Sequence, residues 1–244
     1  PICDQAGECT LQDYSYKYGS GKSRFYEEKV RKPKHKDIGR YVVHDAERCV
    51  LCGRCIRFLR DITKTGELAI FNRGNHCEVG TYLGRRLDNP YSGNVIDLCP
   101  VGALTSKDFR FKQRVWFLKS TETICPGCST GCNIYLDSRG GVVYRLKPRE
   151  NEDVNQCWMC DEGRFSYHYL NSEARIREPL MKNNGRFMPL KMSDALERTA
   201  DSLMGIIESY GKSSIGAIGS ARLTNEDCYI FLRFIREAIG SPNL

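Results

Sequence analysis

The chain has 244 residues, 41% of them hydrophobic, and a formal net charge of +7, which suits about two domains with cores of their own. No apolar run is as long as a membrane span, and no stripe of alternating aromatic and basic residues supports nucleic-acid binding by base stacking. The 13 cysteines cluster at metal-ligand spacings and no signal peptide precedes them, which argues against a secreted disulfide framework and for a reducing compartment.

The chain opens as Pro1-Ile-Cys3-Asp-Gln-Ala-Gly-Glu-Cys9-Thr-Leu-Gln-Asp13. Cys3 and Cys9, at C-x5-C, cannot fill a cluster by themselves. They read either as the second half of a ligand set begun upstream, in a fragment or processed chain, or as two buried thiols beside Gly7. Leu11 to Tyr18 has helical character, which Tyr18-Gly-Ser-Gly-Lys22 breaks. Gly19 to Ser23 lacks both the spacing of a phosphate loop and a strand leading into it. The basic block from Lys29 to Lys36 reads as a solvated loop.

Tyr41 to Val43 is a short strand candidate that leads into Cys49-Val-Leu-Cys52-Gly-Arg-Cys55. Three thiolates at C-x2-C-x2-C can hold three irons of a cubane, and the fourth iron needs a thiolate from elsewhere in the chain. Cys99-Pro100 meets that need, since Pro100 has no amide hydrogen and its fixed φ turns the chain away after the ligand. Zinc would instead call for two separate C-x2-C knuckles. Ile56 to Ile62 continues as a helix carrying Arg57 and Arg60, followed by strand candidates at Leu68 to Phe71 and Glu78 to Leu83 and by turns at Asn89-Pro90 and Ser92-Gly93-Asn94. The pattern resembles a bacterial ferredoxin fold with one of its two clusters replaced by ordinary residues. With four thiolates in hand, His44 reads as a capping or surface histidine and Cys77 as a spare buried thiol.

A second constellation follows a strand candidate at Gln113 to Lys119. Cys125-Pro-Gly-Cys128-Ser-Thr-Gly-Cys132 is C-x2-C-x3-C, with glycines that let amide hydrogens approach inorganic sulfide. Asn133 to Leu136 and Val142 to Leu146 alternate as a hairpin about Arg139-Gly140-Gly141. Cys157 and Cys160 both stand available as the fourth ligand, and their spacing does not choose between them. A zinc reading would use Cys125, Cys128, Cys157 and Cys160. Beyond, Ser193 caps a helix whose Ala195, Leu196, Leu203, Ile206 and Ile207 share a face, ending near Gly211. Ile215 to Ile218 reads as a buried strand, and Thr224-Asn-Glu-Asp227 as a capping box for a helix running to Gly240, with Cys228 in its core. Gly216 to Gly219 lacks the nucleotide fingerprint and reads as a close-packed turn.

Taken together, Pro1-Ile-Cys3, Gly7-Glu8-Cys9, Leu11-Gln12-Asp13, the Cys49 to Cys55 run, and Asn89-Pro90 through Asp97-Leu98-Cys99-Pro100-Val101-Gly102-Ala103-Leu104 closely resemble the family of large iron-sulfur subunits of NADH-quinone oxidoreductase, respiratory complex I. The resemblance covers essentially the whole chain. It implies an α+β multi-domain protein: residues 1–40 a remnant of an upstream iron-sulfur domain plus a basic linker, 41–112 a ferredoxin-like [4Fe-4S] domain, 113–178 a small β-rich [4Fe-4S] domain of molybdopterin-oxidoreductase type, and 179–244 the start of an α/β domain. It further implies that Cys3 and Cys9 are the last two ligands of a cluster whose histidine and other cysteine lie upstream. Cys49, Cys52, Cys55 and Cys99 would hold a [4Fe-4S] cluster on the main electron path. Cys125, Cys128, Cys132 and Cys160 would hold a further one that some bacterial members keep. A [2Fe-2S] domain would precede the chain, which is then truncated at both ends.

The expected function is electron relay from NADH- and flavin-binding partner subunits through [4Fe-4S] clusters towards quinone, as a peripheral component on the cytoplasmic side of the bacterial inner membrane. Downstream iron-sulfur subunits would receive the electrons. No catalytic residue, nucleic acid or membrane insertion is expected. Arg54, Arg57 and Arg60 would stabilise the reduced form of the first cluster. One rival is the catalytic subunit of a molybdenum or tungsten enzyme such as an NAD-linked formate dehydrogenase. Many of those carry a lysine two residues after the last cluster cysteine, where this chain has Glu162, so no molybdenum cofactor is expected. A hydrogenase diaphorase subunit would stop before Ser193. The other rival is a zinc-stabilised interaction module.

Overall fold

The computed structural model describes residues 3–82 and 84–244. By its contacts the chain divides into one unit of Pro1–Cys125 with Thr130–Asn171, and another of Pro126–Ser129 with Ser172–Leu244.

The larger unit begins with a turn at residues 3–8 and helix α1 (Thr10–Tyr18). Its first sheet orders β1 (Lys36–Asp37), β2 (Val42–His44) and β5 (Leu104–Ser106), all antiparallel, with His44 opposite Lys36 on one side and Leu104 on the other. The Cys49 to Cys55 loop runs into α2 (Arg54–Arg57), which relaxes into a wider π turn over Phe58–Ile62. Gly53, at φ 71, turns the chain into that helix in the left-handed region that a side chain disfavours. A hairpin of β3 (Leu68–Phe71) and β4 (Glu78–Thr81) and the short helix α3 (Asn94–Leu98) complete this half. Its core joins Val42, Phe58, Leu59, Leu68, Val79, Leu87, Val95 and Leu104 with Cys55 and Cys99. The loops that carry Cys55 and Cys99 are therefore anchored in the apolar core they border. The residue at the end of the expected 78–83 strand, Leu83, lies outside the described residues.

The second sheet orders β6 (Lys119–Ile124), β7 (Asn133–Arg139) and β8 (Val142–Pro148). Gly140 and Gly141, at φ 56 and 80, make the tight two-residue connection that the β7–β8 hairpin needs, as its sequence indicates. The expected strand over 113–119 is corrected: Val115–Phe117 is a 3₁₀ turn and β6 starts only at Lys119. The cause is packing, because Val115 and Trp116 lie against Gly7, where a Cβ would stand 2.5 Å from Val115 Cγ2. Helix α4 (Asp161–Phe165) and a 3₁₀ segment to Asn171 then pack on β8.

The smaller unit holds a hairpin of β9 (Leu180–Asn183) and β10 (Arg186–Pro189), then α5 (Met192–Tyr210) and α6 (Asn225–Arg233), the last continuing as a π turn to Ile239. Thr224 caps α6 by accepting from the Asp227 amide at 3.1 Å, and Gly211 ends α5. Three expectations need correction here. Ser193 lies inside α5 with its hydroxyl on Asp194, and Lys191 is the N-cap residue. Residues 215–218 form no strand: Ile215 is buried beside Ile235 and Ile239, but Ile218 is 96% exposed and only the bridge Gly216 to Asn243 pairs. Cys228 is exposed, since the buried stripe of its helix passes through Phe231 and Ile235. Among the described residues no helix is long and apolar enough to cross a membrane.

Candidate metal centre

Cys49, Cys52, Cys55 and Cys99 line one cavity, together with His44, Arg54, Val79, Pro100 and Leu104. Cys55 and Cys99 sit at its buried end and Cys52 at its exposed rim. Burial, with the nearby Cys99, Cys49 and Cys52 acting the same way against the Ile56 amide, raises the Cys55 thiol to about 12. Cys49 and Cys99 are raised by burial too, against the pull of amide hydrogens from Leu51 on Cys49 and from Val101, Leu104 and Ala103 on Cys99.

This is a donor set that cannot hold its thiolates unaided. Four cysteines line one apolar cavity, backbone amides already point at the sulfurs of Cys49, Cys55 and Cys99, and cationic iron is what would let all four ionise. The residues present fit a cubane.

Of the three arginines near this loop, Arg54 borders the cavity and Arg57 donates to the Cys52 carbonyl at 3.3 Å. Arg60 is paired with Asp61 at 2.6 Å on the surface. His44 is 1% exposed, which corrects the expectation of a surface or capping ring: β2 alternates inward and outward, and His44 shares the inward face with Val42. Cys77 is half-buried at the start of β4, where its thiol meets the Asn72 carbonyl at 3.5 Å. It takes no part in the cavity.

In the second constellation the Cys125 amide donates to the Cys132 carbonyl at 2.8 Å, closing the loop between β6 and β7. Cys160 caps α4, its sulfur accepting from the Gly163 amide at 3.3 Å. A Cβ on Gly163 would lie 3.0 Å from Cys125 Sγ and 3.5 Å from Cys160 Sγ, so those two thiols share one face of that glycine. Cys157 is exposed, raised by slight burial and by the acidic Glu150, Glu152 and Asp97 around it. Cys128 is exposed, in the 126–129 segment.

Cys3 and Cys9 flank the other side of the Cys99 loop. The buried Cys9 thiol meets the Pro100 carbonyl at 3.8 Å, and Cys3 Sγ would be 2.6 Å from a Cβ on Gly102. Arg114 holds the Cys3 carbonyl at 2.8 Å. Between them Glu8 takes two bonds from Arg145, at 2.6 and 3.0 Å, and one from Lys147 at 3.0 Å. Burial alone would raise the Glu8 carboxyl, but these cations outweigh it and lower it to about 2.

Several residues that hold the sites together carry no motif of their own. Asn94 donates to the Met159 carbonyl at 2.8 Å and accepts from its amide at 3.1 Å. Asp161 accepts from Ser92 Oγ at 2.5 Å and from the Gly93 amide at 2.7 Å, and Arg164 pairs with Asp97. The segment before Cys99 is thereby fastened to the one around Cys160. The Ser92-Gly93-Asn94 turn is visible in the sequence, but nothing local in it names a distant partner.

Three family models match. The NADH-ubiquinone oxidoreductase-G iron-sulfur binding region covers residues 1–24, the ferredoxin-like domain of NADH-quinone oxidoreductase subunit 3 covers 39–105, and the molybdopterin oxidoreductase Fe4S4 domain covers 118–172. Curated relatives align along the whole chain. The NADH-quinone oxidoreductase-G polypeptide of Rickettsia conorii is 42% identical and that of Rickettsia bellii 45% identical, both over 243 residues and 35% of the relative's length. The mitochondrial NADH-ubiquinone oxidoreductase 78 kDa subunit of Neurospora crassa is 40% identical over 245 residues and 32% of its length. The chain thus spans about a third of the length of the curated relatives it matches. A chain of an NAD+-reducing [NiFe]-hydrogenase in the H2-reduced state is 29% identical with a TM-score of 0.40, over 47% of this chain and 50% of that one. The domains so matched, ferredoxin-like and Fe4S4, are the mixed small sheets and helices of the larger unit.

Proposed function

We propose that this chain, which belongs to the family of large iron-sulfur subunits of NADH-quinone oxidoreductases, carries single electrons between iron-sulfur clusters and performs no bond chemistry of its own. The observation that carries this reading is the cavity lined by Cys49, Cys52, Cys55 and Cys99. When bound, a [4Fe-4S] cluster supplies a one-electron couple whose potential follows from its ligands, hydrogen bonds and burial.

The chain's own residues set those conditions. Cys49, Cys52, Cys55 and Cys99 are the ligands of the first site. Amides of Leu51, Ile56, Val101, Ala103 and Leu104 face its sulfurs and favour added negative charge. Phe58, Val79, Val101 and Leu104 keep water from the buried end. Arg54 at the cavity wall favours the more negative, reduced state, and Arg60, already spent on Asp61, does not.

Cys125, Cys128, Cys132 and Cys160 are assigned to a second [4Fe-4S] site, with Cys160 preferred to Cys157 because it shares Gly163 with Cys125. Cys3 and Cys9 are assigned as two ligands of a further cluster. The electron donors are NADH- and flavin-binding partner subunits and the acceptors further iron-sulfur subunits on the way to quinone, in a peripheral position at the cytoplasmic face of a membrane.

The test is iron and sulfide analysis with low-temperature EPR on anaerobically reconstituted, dithionite-reduced protein, comparing wild type with Cys160→Ser and Cys157→Ser. About eight irons are expected from two cubanes, with one cubane signal lost in Cys160→Ser alone. Four irons in the first site with zinc in the second would overturn the second assignment. A protein without any cubane signal would overturn the relay itself.

A further inference from the structure

One wall of the Cys49, Cys52, Cys55 and Cys99 cavity is neither sulfur nor hydrocarbon. His44 lines it from β2, is 1% exposed, and among the described residues has no hydrogen-bond partner at either Nδ1 or Nε2. Buried side-chain nitrogens are rarely left without partners, because their lost bonds to water must be replaced. The neighbouring inward position, Val42, is apolar and completely buried, so an aliphatic side chain fills this face of the strand without that cost. An imidazole in the same layer therefore calls for an acceptor or donor that the protein atoms do not provide.

The surroundings narrow what that partner is. Across the sheet His44 faces Lys36 and Leu104. Lys36 is already paired with Glu78 at 3.2 Å, and Asp45, next in sequence, is taken by Arg48 at 3.0 Å and Lys34 at 3.5 Å. The Asp45 amide is used by the Ala103 carbonyl at 2.8 Å. In either protonation state an imidazole offers at least one N–H donor. Four cysteine sulfurs and the space they enclose are what the cavity leaves for it to meet.

We propose that His44 is a hydrogen-bond donor to the cluster held by Cys49, Cys52, Cys55 and Cys99, giving its N–H to a sulfur of the cluster or of a ligand and so favouring the reduced state. The proposal rests on the first cluster assignment above. A donor aimed at sulfur stabilises the extra negative charge of reduction and raises the potential. His44 is not a fifth ligand, because four thiolates complete the site.

The experiment is a potentiometric EPR titration of the full-length protein with its clusters, in wild type, His44→Leu and His44→Gln. It is joined to pulsed EPR on protein grown with ¹⁵N-histidine. Absence of a cubane signal that is sensitive to Cys99→Ser in wild type would sink the cluster assignment, independently of His44. With that signal present, His44→Leu is expected to shift the reduced-to-oxidised ratio at fixed potential about tenfold towards oxidised, or about 59 mV for one electron. His44→Gln, which keeps a donor, is expected to recover part of the shift. A weak histidine ¹⁵N coupling on this signal is expected in wild type and lost in His44→Gln. An unchanged midpoint in His44→Leu overturns the proposal. If His44→Leu takes up no iron, the coupling decides alone: its presence in wild type supports the proposal and its absence overturns it.

Discussion

Cys9 Sγ lies 3.8 Å from the carbonyl oxygen of Pro100, the residue directly after Cys99. One short loop therefore borders the cavity of Cys49, Cys52, Cys55 and Cys99 on one side and Cys3 and Cys9 on the other. Under the ligand assignments proposed above, this adjacency would give an electron a short covalent and hydrogen-bonded route between the two sites.

Gly102 sits at the closest approach, where a Cβ would stand 2.6 Å from Cys3 Sγ, 3.2 Å from Cys3 Cβ and 3.3 Å from Gln5 Cβ. No real Cβ tolerates the first of these, so Gly102→Ala must move Cys3. In the full-length protein the expected outcome is a shifted or broadened EPR signal from the cluster to which Cys3 and Cys9 are assigned in the proposal above, with the Cys99-dependent signal retained. Unchanged spectra for both would show that the loop is free to give way and that the close approach has no role.

Glu8 supplies a pH dependence with a definite sign. Its folded pKa is depressed from 4.5 to about 2, so its contribution is fully present above pH 4.5 and is lost as pH falls through about 2. The shift corresponds to about 3 kcal/mol, with the carboxylate side chain 24% exposed. Glu8→Gln is expected to destabilise the protein at pH 7 by roughly 1–3 kcal/mol. The gap between wild type and variant in urea unfolding should close between pH 4.5 and 2. A gap that stays constant down to pH 2 would assign the loss to packing.

The β7–β8 hairpin and the Thr224 cap were legible in the sequence because each is a local rule of a few residues, governed by chain geometry or a side chain bonding its own backbone. His44 was misread for the opposite reason. Its burial follows from pairing with Lys36 and Leu104, and a three-residue strand is too short for alternation to show which face is inward. The bonds of Glu8 to Arg145 and of Asn94 to Met159 join residues far apart in the chain, so no window of sequence contains both partners. Ile215 to Ile218 looked like a strand because an apolar run carries no information about whether a neighbouring strand exists to pair with it.

Asn94 tests whether the two cysteine-bearing segments are held as one body. It is 1% exposed and satisfies both the amide and the carbonyl of Met159, the residue before Cys160. Asn94→Ala leaves both backbone groups buried without a partner, at an expected cost of about 2–4 kcal/mol. Thermal unfolding of the reconstituted protein is expected to show this as a lowered Tm, with the iron of the Cys160 site released ahead of global unfolding. Simultaneous loss of both clusters with the fold would indicate a single cooperative unit, and an unchanged Tm would remove Asn94 from the account.

Gly163 gives a test in which two physical effects have opposite signs. It lies inside the short helix α4, where replacing glycine by alanine normally stabilises by about 1 kcal/mol through helix propensity. Here the new Cβ would stand 3.0 Å from Cys125 Sγ, 3.5 Å from Cys160 Sγ and 3.6 Å from Met159 Cε. Only the contact with Cys125, a buried thiol, is closer than ordinary packing, and overpacking of a tight core costs about 1–3 kcal/mol. The clash therefore outweighs the propensity, and it falls on Cys125, a thiol assigned to one cluster with Cys160. Gly163→Ala is expected to lower Tm and to reduce iron at the second site, while the Cys99-dependent signal keeps its intensity. A rise in Tm with full iron content would mean that Cys125 and Cys160 can separate freely, which ligands of a common cluster cannot do.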